Sequence, residues 1–130
     1  MDIKDFVSFE TAKKLKSLGF DDACNYFYEN ANCTDIRYTL YRYYNDKEPF
    51  CSAPMLWQAQ KWLRKKHRIH IRINFDSDRG WNKSLLLMDE DRDIVCITAY
   101  YSSYERALQD AIDESLNYII KQNRHEEDNV

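Results

Sequence analysis

The chain has 130 residues, a formal net charge of −3 and a hydrophobic fraction of 44%. This length and apolar content predict one folded domain and exclude a disordered chain. The small net charge supplies no field that would draw the protein to nucleic acid or to a membrane. We find neither a secretory signal nor an apolar run long enough to span a membrane, so we expect a cytoplasmic protein.

The cysteines indicate the redox state and exclude an obvious metal site. Cys24, Cys33, Cys51 and Cys96 are scattered along the chain, with no CxxC pair and no histidine at a zinc-finger spacing. We therefore predict reduced thiols, no metal site and no bound cofactor. Cys96 lies in an apolar stretch, where we expect it to be a small core residue.

The first half of the chain predicts a helix followed by aromatic strands. Residues 8–18 have the apolar spacing of a short helix, and Gly19 followed by Phe20 fits a Schellman end. Residues 23–28 and 36–44 are rich in strand-forming side chains. The polar segment between them predicts a turn, so we expect an antiparallel hairpin or two edge strands.

A second helix is predicted over residues 54–66. Pro54 is tolerated in its first turn because proline has no N–H to lose there, and Ser52 or Ala53 is the expected cap. Lysine and arginine residues fill its last turn, at the negative end of the helix dipole.

Three strands follow, with connections too short for parallel crossovers. Residues 68–75 alternate between apolar and polar side chains, which is typical of a sheet with one solvated face, and Phe75 ends the apolar set. Residues 81–88 become apolar on both faces, which indicates a central strand. Residues 94–100 complete the antiparallel meander.

The longest regular pattern is a helix over residues 102–122. Ser102 and Glu105 have the spacing of a capping box, and apolar residues recur along one side. Residues 123–130 are polar and are expected to fray, which leaves residues 1–122 as a single domain. We predict an α+β fold of order α-β-β-α-β-β-β-α: an antiparallel sheet, made of the meander and one or two aromatic strands, with three helices packed on one face.

Three blocks of the chain resemble a known group of sequences. The blocks are VSFETAKKLKSLGFDDAC, SAPMLWQAQKWLRKKHRIHI and YSSYERALQDAIDESLNYII. They resemble a family of small hypothetical proteins from phages and prophages of gut anaerobic bacteria, and the second block matches an APTLWQAQKWLR-type pattern. The resemblance implies a phage-type protein of the host bacterial cytoplasm. It brings no activity and no catalytic residue.

The second helix carries the first candidate binding surface. Trp57 and Lys61 lie four residues apart and are therefore neighbours on the helix surface. An exposed Trp57 would offer a surface for stacking or for a partner. The simpler interpretation is that Trp57 and Trp62 both pack in the core, where large rings contribute the most.

The second candidate is the basic segment from Lys61 to Arg72, which holds six basic residues, two histidines and no acid. It could bind phosphates, and helix–three strands–helix is also the order of double-stranded RNA-binding domains. The acids of the last helix and of the turn at residues 89–93 oppose this interpretation, and a solvated face is the simpler one. The candidate binding residues are Trp57, Lys61, Arg64, Lys65, Arg68, His70 and Arg72.

No catalytic constellation stands out in the sequence. We therefore predict a non-catalytic interaction module that binds a protein partner or itself, with a homodimer formed through the exposed tyrosines between Tyr38 and Tyr44. A nucleic-acid-binding domain that uses Lys61 to Arg72 is one alternative, and its affinity would fall with added salt. The other is an enzyme with a scattered site, in which His70 or a cysteine stands beside a carboxylate.

Overall fold

A computed structural model describes residues 2–29, 35–94 and 99–128. The helices are α1 (Phe9–Ser17), α2 (Leu56–Lys66) and α3 (Tyr104–Asp128), with short 3-10 helices at Ile3–Asp5 and Tyr44–Asp46. The strands are β1 (Tyr26–Tyr28), β2 (Arg37–Tyr38), β3 (Cys51–Ser52), β4 (Ile69–Asp76), β5 (Gly80–Leu87) and β6 (Arg92–Ile94). The α+β class predicted from the sequence is confirmed.

The strands form two antiparallel sheets of three strands, where the sequence predicted one sheet. Their orders are β2-β1-β3 and β4-β5-β6. Each sheet belongs to its own compact unit, the first unit being Met1–Ala59 and the second Gln60–Val130. A strand pattern in the sequence does not identify which other strand it pairs with, because tertiary packing decides the pairing. The single domain expected over residues 1–122 stays a prediction.

The first unit contains α1, which begins and ends as predicted. The Ser8 hydroxyl accepts a hydrogen bond from the Thr11 backbone N–H at 3.2 Å, which caps the helix start. At the other end Gly19 adopts a φ of +87°. This turn lets the Phe20 N–H donate to the Leu15 carbonyl at 3.0 Å, and both side chains are buried.

The aromatic strands are shorter than predicted. In the first unit β1 pairs with β2 on one side and with β3 on the other, and β3 was not expected from the sequence. The predicted strand over residues 36–44 survives only as β2. The Thr39 hydroxyl accepts a hydrogen bond from the Tyr41 N–H at 3.0 Å, and this local turn competes with strand pairing.

The start of α2 also differs from the prediction. The helix begins at Leu56, and neither Ser52 nor Ala53 caps it. The residue before it is Met55, whose N–H donates to the Gln58 side-chain oxygen at 2.9 Å. This is the half of a capping box that a glutamine at the third helical position supplies.

In the second unit α3 packs on β4 and β5. The buried residues of α3 recur at helical spacing and are Ala107, Leu108, Ala111, Ile112, Ser115, Leu116 and Ile119. The buried residues of the two strands are Ile69, Ile71, Leu85 and Leu87. Each buried leucine or isoleucine of this set stabilises the fold by roughly 1.5–3 kcal/mol.

Both ends of α3 lie further along the chain than predicted. The capping hydroxyl belongs to Ser103, which accepts a hydrogen bond from the Arg106 N–H at 3.2 Å, and the expected cap Ser102 precedes it. The helix continues past Gln122 to Asp128. Residues 123–128 contain no glycine or proline, so nothing in the sequence ends the helix at the last apolar residue.

The covering of β4 by α3 is incomplete. Ile69 and Ile71 are buried as predicted, but Phe75 is 61% exposed. Phe75 lies opposite Trp81 at the closed end of the hairpin, and Trp81 contacts the ring of Tyr104, the first residue of α3. The helix begins there, so it does not extend over Phe75.

The predicted order of the meander is confirmed, with β5 between β4 and β6. Of the predicted strand over residues 94–100, Ile94 belongs to β6 and residues 95–98 lie outside the described residues. The core position predicted for Cys96 lies outside the described residues, as does Cys33.

Two glycines with positive φ give a matched pair of substitutions. A Cβ added at Gly19 would have no atom within 4 Å, whereas one at Gly80 would lie 2.7 Å from the Tyr101 carbonyl oxygen. We expect Gly19→Ala to lower the free energy of unfolding by about 1 kcal/mol, through backbone strain alone. Gly80→Ala should cost roughly 1–3 kcal/mol more, because of the clash.

Urea denaturation of both variants, followed by circular dichroism, measures these costs. Equal losses of stability in the two variants would contradict the structural difference between the two turns.

Candidate functional site

The two tryptophans of α2 have opposite environments. Trp62 is 4% exposed, so the prediction that it packs in the core is confirmed. Trp57 is 55% exposed, so the same prediction is wrong for Trp57. A stacking or partner-binding role for Trp57 stays a prediction.

The predicted binding residues at the C-terminal part of α2 carry charges that face solvent. Lys61 and Lys65 are exposed and Arg64 is half-buried. Within the ranges that the structure describes, none of the three forms an ion pair. Their position near the C-terminus of a helix is electrostatically favourable without any ligand.

The two predicted binding arginines just before and on β4 are neutralised by ion pairs. The Arg68 guanidinium lies 3.0 Å from the Asp89 carboxylate, and that of Arg72 lies 2.8 Å from Asp93. Exposed pairs of this kind each stabilise by less than about 1 kcal/mol, but they cancel the positive charge that a phosphate would meet. His70 is half-buried between them in the strand. The sequence predicted that residues 89–93 oppose this basic charge, and both acidic partners belong to that segment, Asp89 in the turn and Asp93 on β6.

Sequence reasoning missed a nearly buried lysine on β5. The side chain of Lys83 is 5% exposed, and its ammonium lies 2.5 Å from the Glu114 carboxylate and 3.3 Å from that of Asp110. The Tyr101 hydroxyl donates a hydrogen bond to Asp110. A cavity of about 330 Å³ lies beside these four side chains, which we call the Lys83 cluster.

The sequence did contain a signal for the Lys83 cluster. Lys83 precedes Leu85 and Leu87 at the two-residue spacing of one strand face, so it belongs to the buried side of the sheet. Asp110 and Glu114 are four residues apart on α3 and therefore neighbours. A lysine on an apolar strand face requires such a carboxylate partner.

The protonation of the Lys83 cluster argues against acid–base chemistry. Burial by itself lowers the pKa of Lys83, but the hydrogen bond and charge of Glu114, helped by Tyr101 and Asp110, raise that pKa overall. Burial and the hydrogen bond to Asp110 raise the pKa of Tyr101. At neutral pH the lysine is charged and the tyrosine is neutral, whereas a general acid or base needs a pKa near the working pH.

The described cysteines and His67 show no catalytic arrangement. Cys24 and Cys51 are buried free thiols, and burial together with the nearby Asp22 raises the pKa of Cys24 to about 12. Such a thiol holds almost no reactive thiolate at neutral pH. Burial also lowers the pKa of His67, whose ring contacts that of Trp62.

Among the described residues, no three histidine, cysteine or acidic side chains are grouped so as to hold a metal ion. None of the described helices combines the length and the apolar character needed to cross a membrane.

The tyrosine-rich segment of the first unit presents an exposed apolar surface. Its exposed members, with their exposed fractions, are Tyr38 (63%), Leu40 (86%), Tyr41 (39%) and Tyr43 (50%). We call these four side chains the tyrosine edge. Tyr44, which was also expected to be exposed, is half-buried because its ring stacks on Phe27 at 4.0 Å between centroids.

Two rings of the tyrosine edge, Tyr38 and Tyr41, are held by contacts with other residues of the first unit. The Tyr38 ring contacts that of Tyr26 on the neighbouring strand at 5.5 Å. The Tyr41 hydroxyl donates to the Asp46 carboxylate at 2.9 Å, and the Lys47 ammonium lies 4.8 Å from the Tyr41 ring centre. Rings fixed in this way lose little conformational entropy when a partner binds.

Comparison with protein-family models, with curated proteins and with solved structures gives no match. A function is therefore inferred from the geometry of this chain. The tyrosine edge and the surface at Trp57 were both predicted from the sequence as candidates for binding and are both exposed, and the tyrosine edge holds the larger number of exposed apolar side chains.

A substitution of Lys83 tests how much its ammonium contributes to the stability of the second unit. Lys83→Met removes the ammonium and leaves Asp110 and Glu114 to repel each other. We expect the free energy of unfolding to fall by about 1–3 kcal/mol, less than for a fully buried pair because both carboxylates are partly exposed. Lys61→Met removes an exposed, unpaired charge and should change stability by less than about 0.5 kcal/mol. Equal effects in urea denaturation would contradict the assignment.

The raised pKa of Lys83 also predicts a pH dependence. The unfolded chain releases this proton near pH 10, and the folded chain releases it at higher pH. The stabilisation is therefore complete below pH 10 and is lost as the pH rises through the folded-state pKa. We expect the urea midpoint to fall more steeply between about pH 10 and 12 in the wild type than in Lys83→Met. Parallel profiles would show that Lys83 has an ordinary pKa.

Proposed function

We propose that this chain is a non-catalytic interaction module that self-associates through the tyrosine edge. In line with its resemblance to phage and prophage proteins, we place it in the bacterial cytoplasm. The observation that carries the proposal is the exposure of four apolar side chains within residues 38–43, on and beside β2, which is an outer strand of its sheet.

An outer strand offers backbone groups as well as side chains. β2 pairs with β1 on one side only, and both of its residues are exposed. Among the described residues, no strand pairs with the other side of β2, so its N–H and carbonyl groups there can pair with a strand of a second copy. Two copies of β2 can pair antiparallel about a two-fold axis, which is the commonest symmetry of homodimers.

The charges near β2 permit this pairing. Arg37 is the charged residue of β2, and a positive charge on an edge strand usually discourages a second copy. Here the Arg37 guanidinium lies 2.9 Å from the Glu29 carboxylate. The ion pair offsets the repulsion that two copies of Arg37 would otherwise feel.

The side chains supply the apolar contact. Leu40 is 86% exposed, the largest exposed fraction among the large hydrophobic residues described. Tyrosine side chains contribute large contact areas at interfaces and are common among residues that dominate binding energy. A monomer that leaves such a group in water gains by covering it.

A matched pair of aspartate substitutions tests the proposal. Leu40→Asp places a charge in the tyrosine edge, whereas Ile3→Asp places one at an isolated exposed residue of the same unit. We expect sedimentation equilibrium from about 5 to 200 μM to show a dimer of wild type and of Ile3→Asp. Leu40→Asp should weaken dimerisation at least tenfold, because a buried unpaired charge is costly.

Circular dichroism of both variants checks that they remain folded. A wild-type monomer throughout the concentration range would overturn the proposal, and so would an equal loss of dimer in both variants.

A further inference from the structure

A second cavity lies in the first unit, with a volume of about 400 Å³. This volume is within the range of small-molecule sites. The cavity lies where the chain leaves α1 and where the 3-10 helix Tyr44–Asp46 approaches it. Asp21 and Asp22 line one part of its wall, and Tyr43 and Asp46 line another.

The wall of this cavity is negatively charged. Asp21, Asp22 and Asp46 contribute three carboxylates against the single ammonium of Lys16. That ammonium lies 2.9 Å from the Glu48 carboxylate and 2.6 Å from the Phe50 carbonyl oxygen, so its charge is already balanced. Among the described residues, neither Asp21 nor Asp22 has a side-chain hydrogen bond or an ion pair.

The two parts of the wall are fixed relative to each other by one amide. The Asn45 side chain donates to the Phe20 carbonyl at 2.8 Å and accepts from the Ser52 N–H at 2.8 Å. The Schellman turn after α1 fixes the chain just before Asp21. The backbone on both sides of the cavity is thus held before any ligand enters, which lowers the entropic cost of binding, while the Asp21 and Asp22 side chains are exposed at its wall.

A lysine beside the cavity already makes a cation–π contact. Next to the cavity, the Lys47 ammonium lies 4.8 Å from the Tyr41 ring centre, while the hydroxyl of that ring is bonded to Asp46. Tyr43, whose ring is half exposed, offers a second aromatic face at the cavity itself. An aromatic ring beside a carboxylate attracts cations by the ring quadrupole and by charge together.

We propose that this cavity binds a guanidinium or ammonium group carried on an alkyl chain, held by Asp21 and Asp22 and covered by the Tyr43 ring. The inference goes beyond self-association. The group can come from a free alkylguanidine or alkylamine, or from an arginine or lysine side chain. Anions are repelled by the wall.

Isosteric probes separate charge from shape. N-acetyl-arginine amide presents the guanidinium without other charges, and N-acetyl-citrulline amide has the same shape without the charge. In nitrogen–proton NMR titrations we expect the arginine probe to shift the amide signals of Gly19, Phe20 and Asn45 with millimolar affinity. The citrulline probe should bind at least tenfold more weakly. Butylguanidine, which carries one charge as the blocked arginine does, represents a free alkylguanidine. Tighter binding of butylguanidine points to a free ligand, and tighter binding of the blocked arginine points to a protein side chain.

Paired variants locate the site. The double variant Asp21→Asn/Asp22→Asn should weaken binding of the arginine probe at least tenfold, because it removes both carboxylates that lack partners. Asp5→Asn/Glu10→Gln removes two acids of the same unit outside the cavity and should leave affinity within twofold. Equal binding of the two blocked probes to the wild type overturns the inference, as does equal weakening in both double variants or no binding at 10 mM.

Tyr43 belongs to both the cavity and the tyrosine edge, so the titration is repeated with Leu40→Asp. Binding by this variant supports the cavity whether or not the wild type dimerises. Dimerisation without binding of either probe overturns the proposed cation binding by the cavity and leaves the proposed self-association unaffected.

Discussion

The apolar face of the β4–β5 hairpin has to be covered from water, and α3 covers it. This one contact explains the buried stripe of the helix, the strand register and the position of Lys83. Lys83 lies on the covered face, where an unpaired ammonium would be costly, and the helix supplies Glu114 and Asp110 at that point. Where the helix begins, the covering ends, and Phe75 is left exposed.

The first unit is stabilised in a different way. Its strands have two or three residues each, so ring contacts and side-chain clamps carry more of the structure. Phe27 stacks on Tyr44, the Tyr28 hydroxyl donates to the Val7 carbonyl at 2.7 Å, and the Asn45 side chain links the turn after α1 to β3. Short strands leave edges and loops at the surface, and both binding proposals concern such places.

Local signals in the sequence were sufficient where one periodicity decided the structure. The Schellman end of α1, the alternation in β4 and the stripe of α3 follow from residue spacing alone. Tertiary choices were not predictable in this way: β3 exists because two residues pair with β1, and Thr39 ends β2 through its own hydroxyl. The exposure of the tyrosine edge was predicted from an excess of rings over available core. The second cavity combines residues from three separate stretches, and no spacing in the sequence reveals it.

The aromatic residues are unevenly divided between the two units, and this gives the protein two separate optical signals. Trp62 and Trp81 belong to the second unit, while the one tryptophan of the first unit, Trp57, is already exposed in the folded state. Tryptophan emission therefore reports mainly on the unfolding of the second unit. Six of the ten tyrosines, at positions 26, 28, 38, 41, 43 and 44, lie in the first unit, so tyrosine absorbance is weighted toward it. Two melting curves from one sample can thus show whether the units unfold together or in sequence.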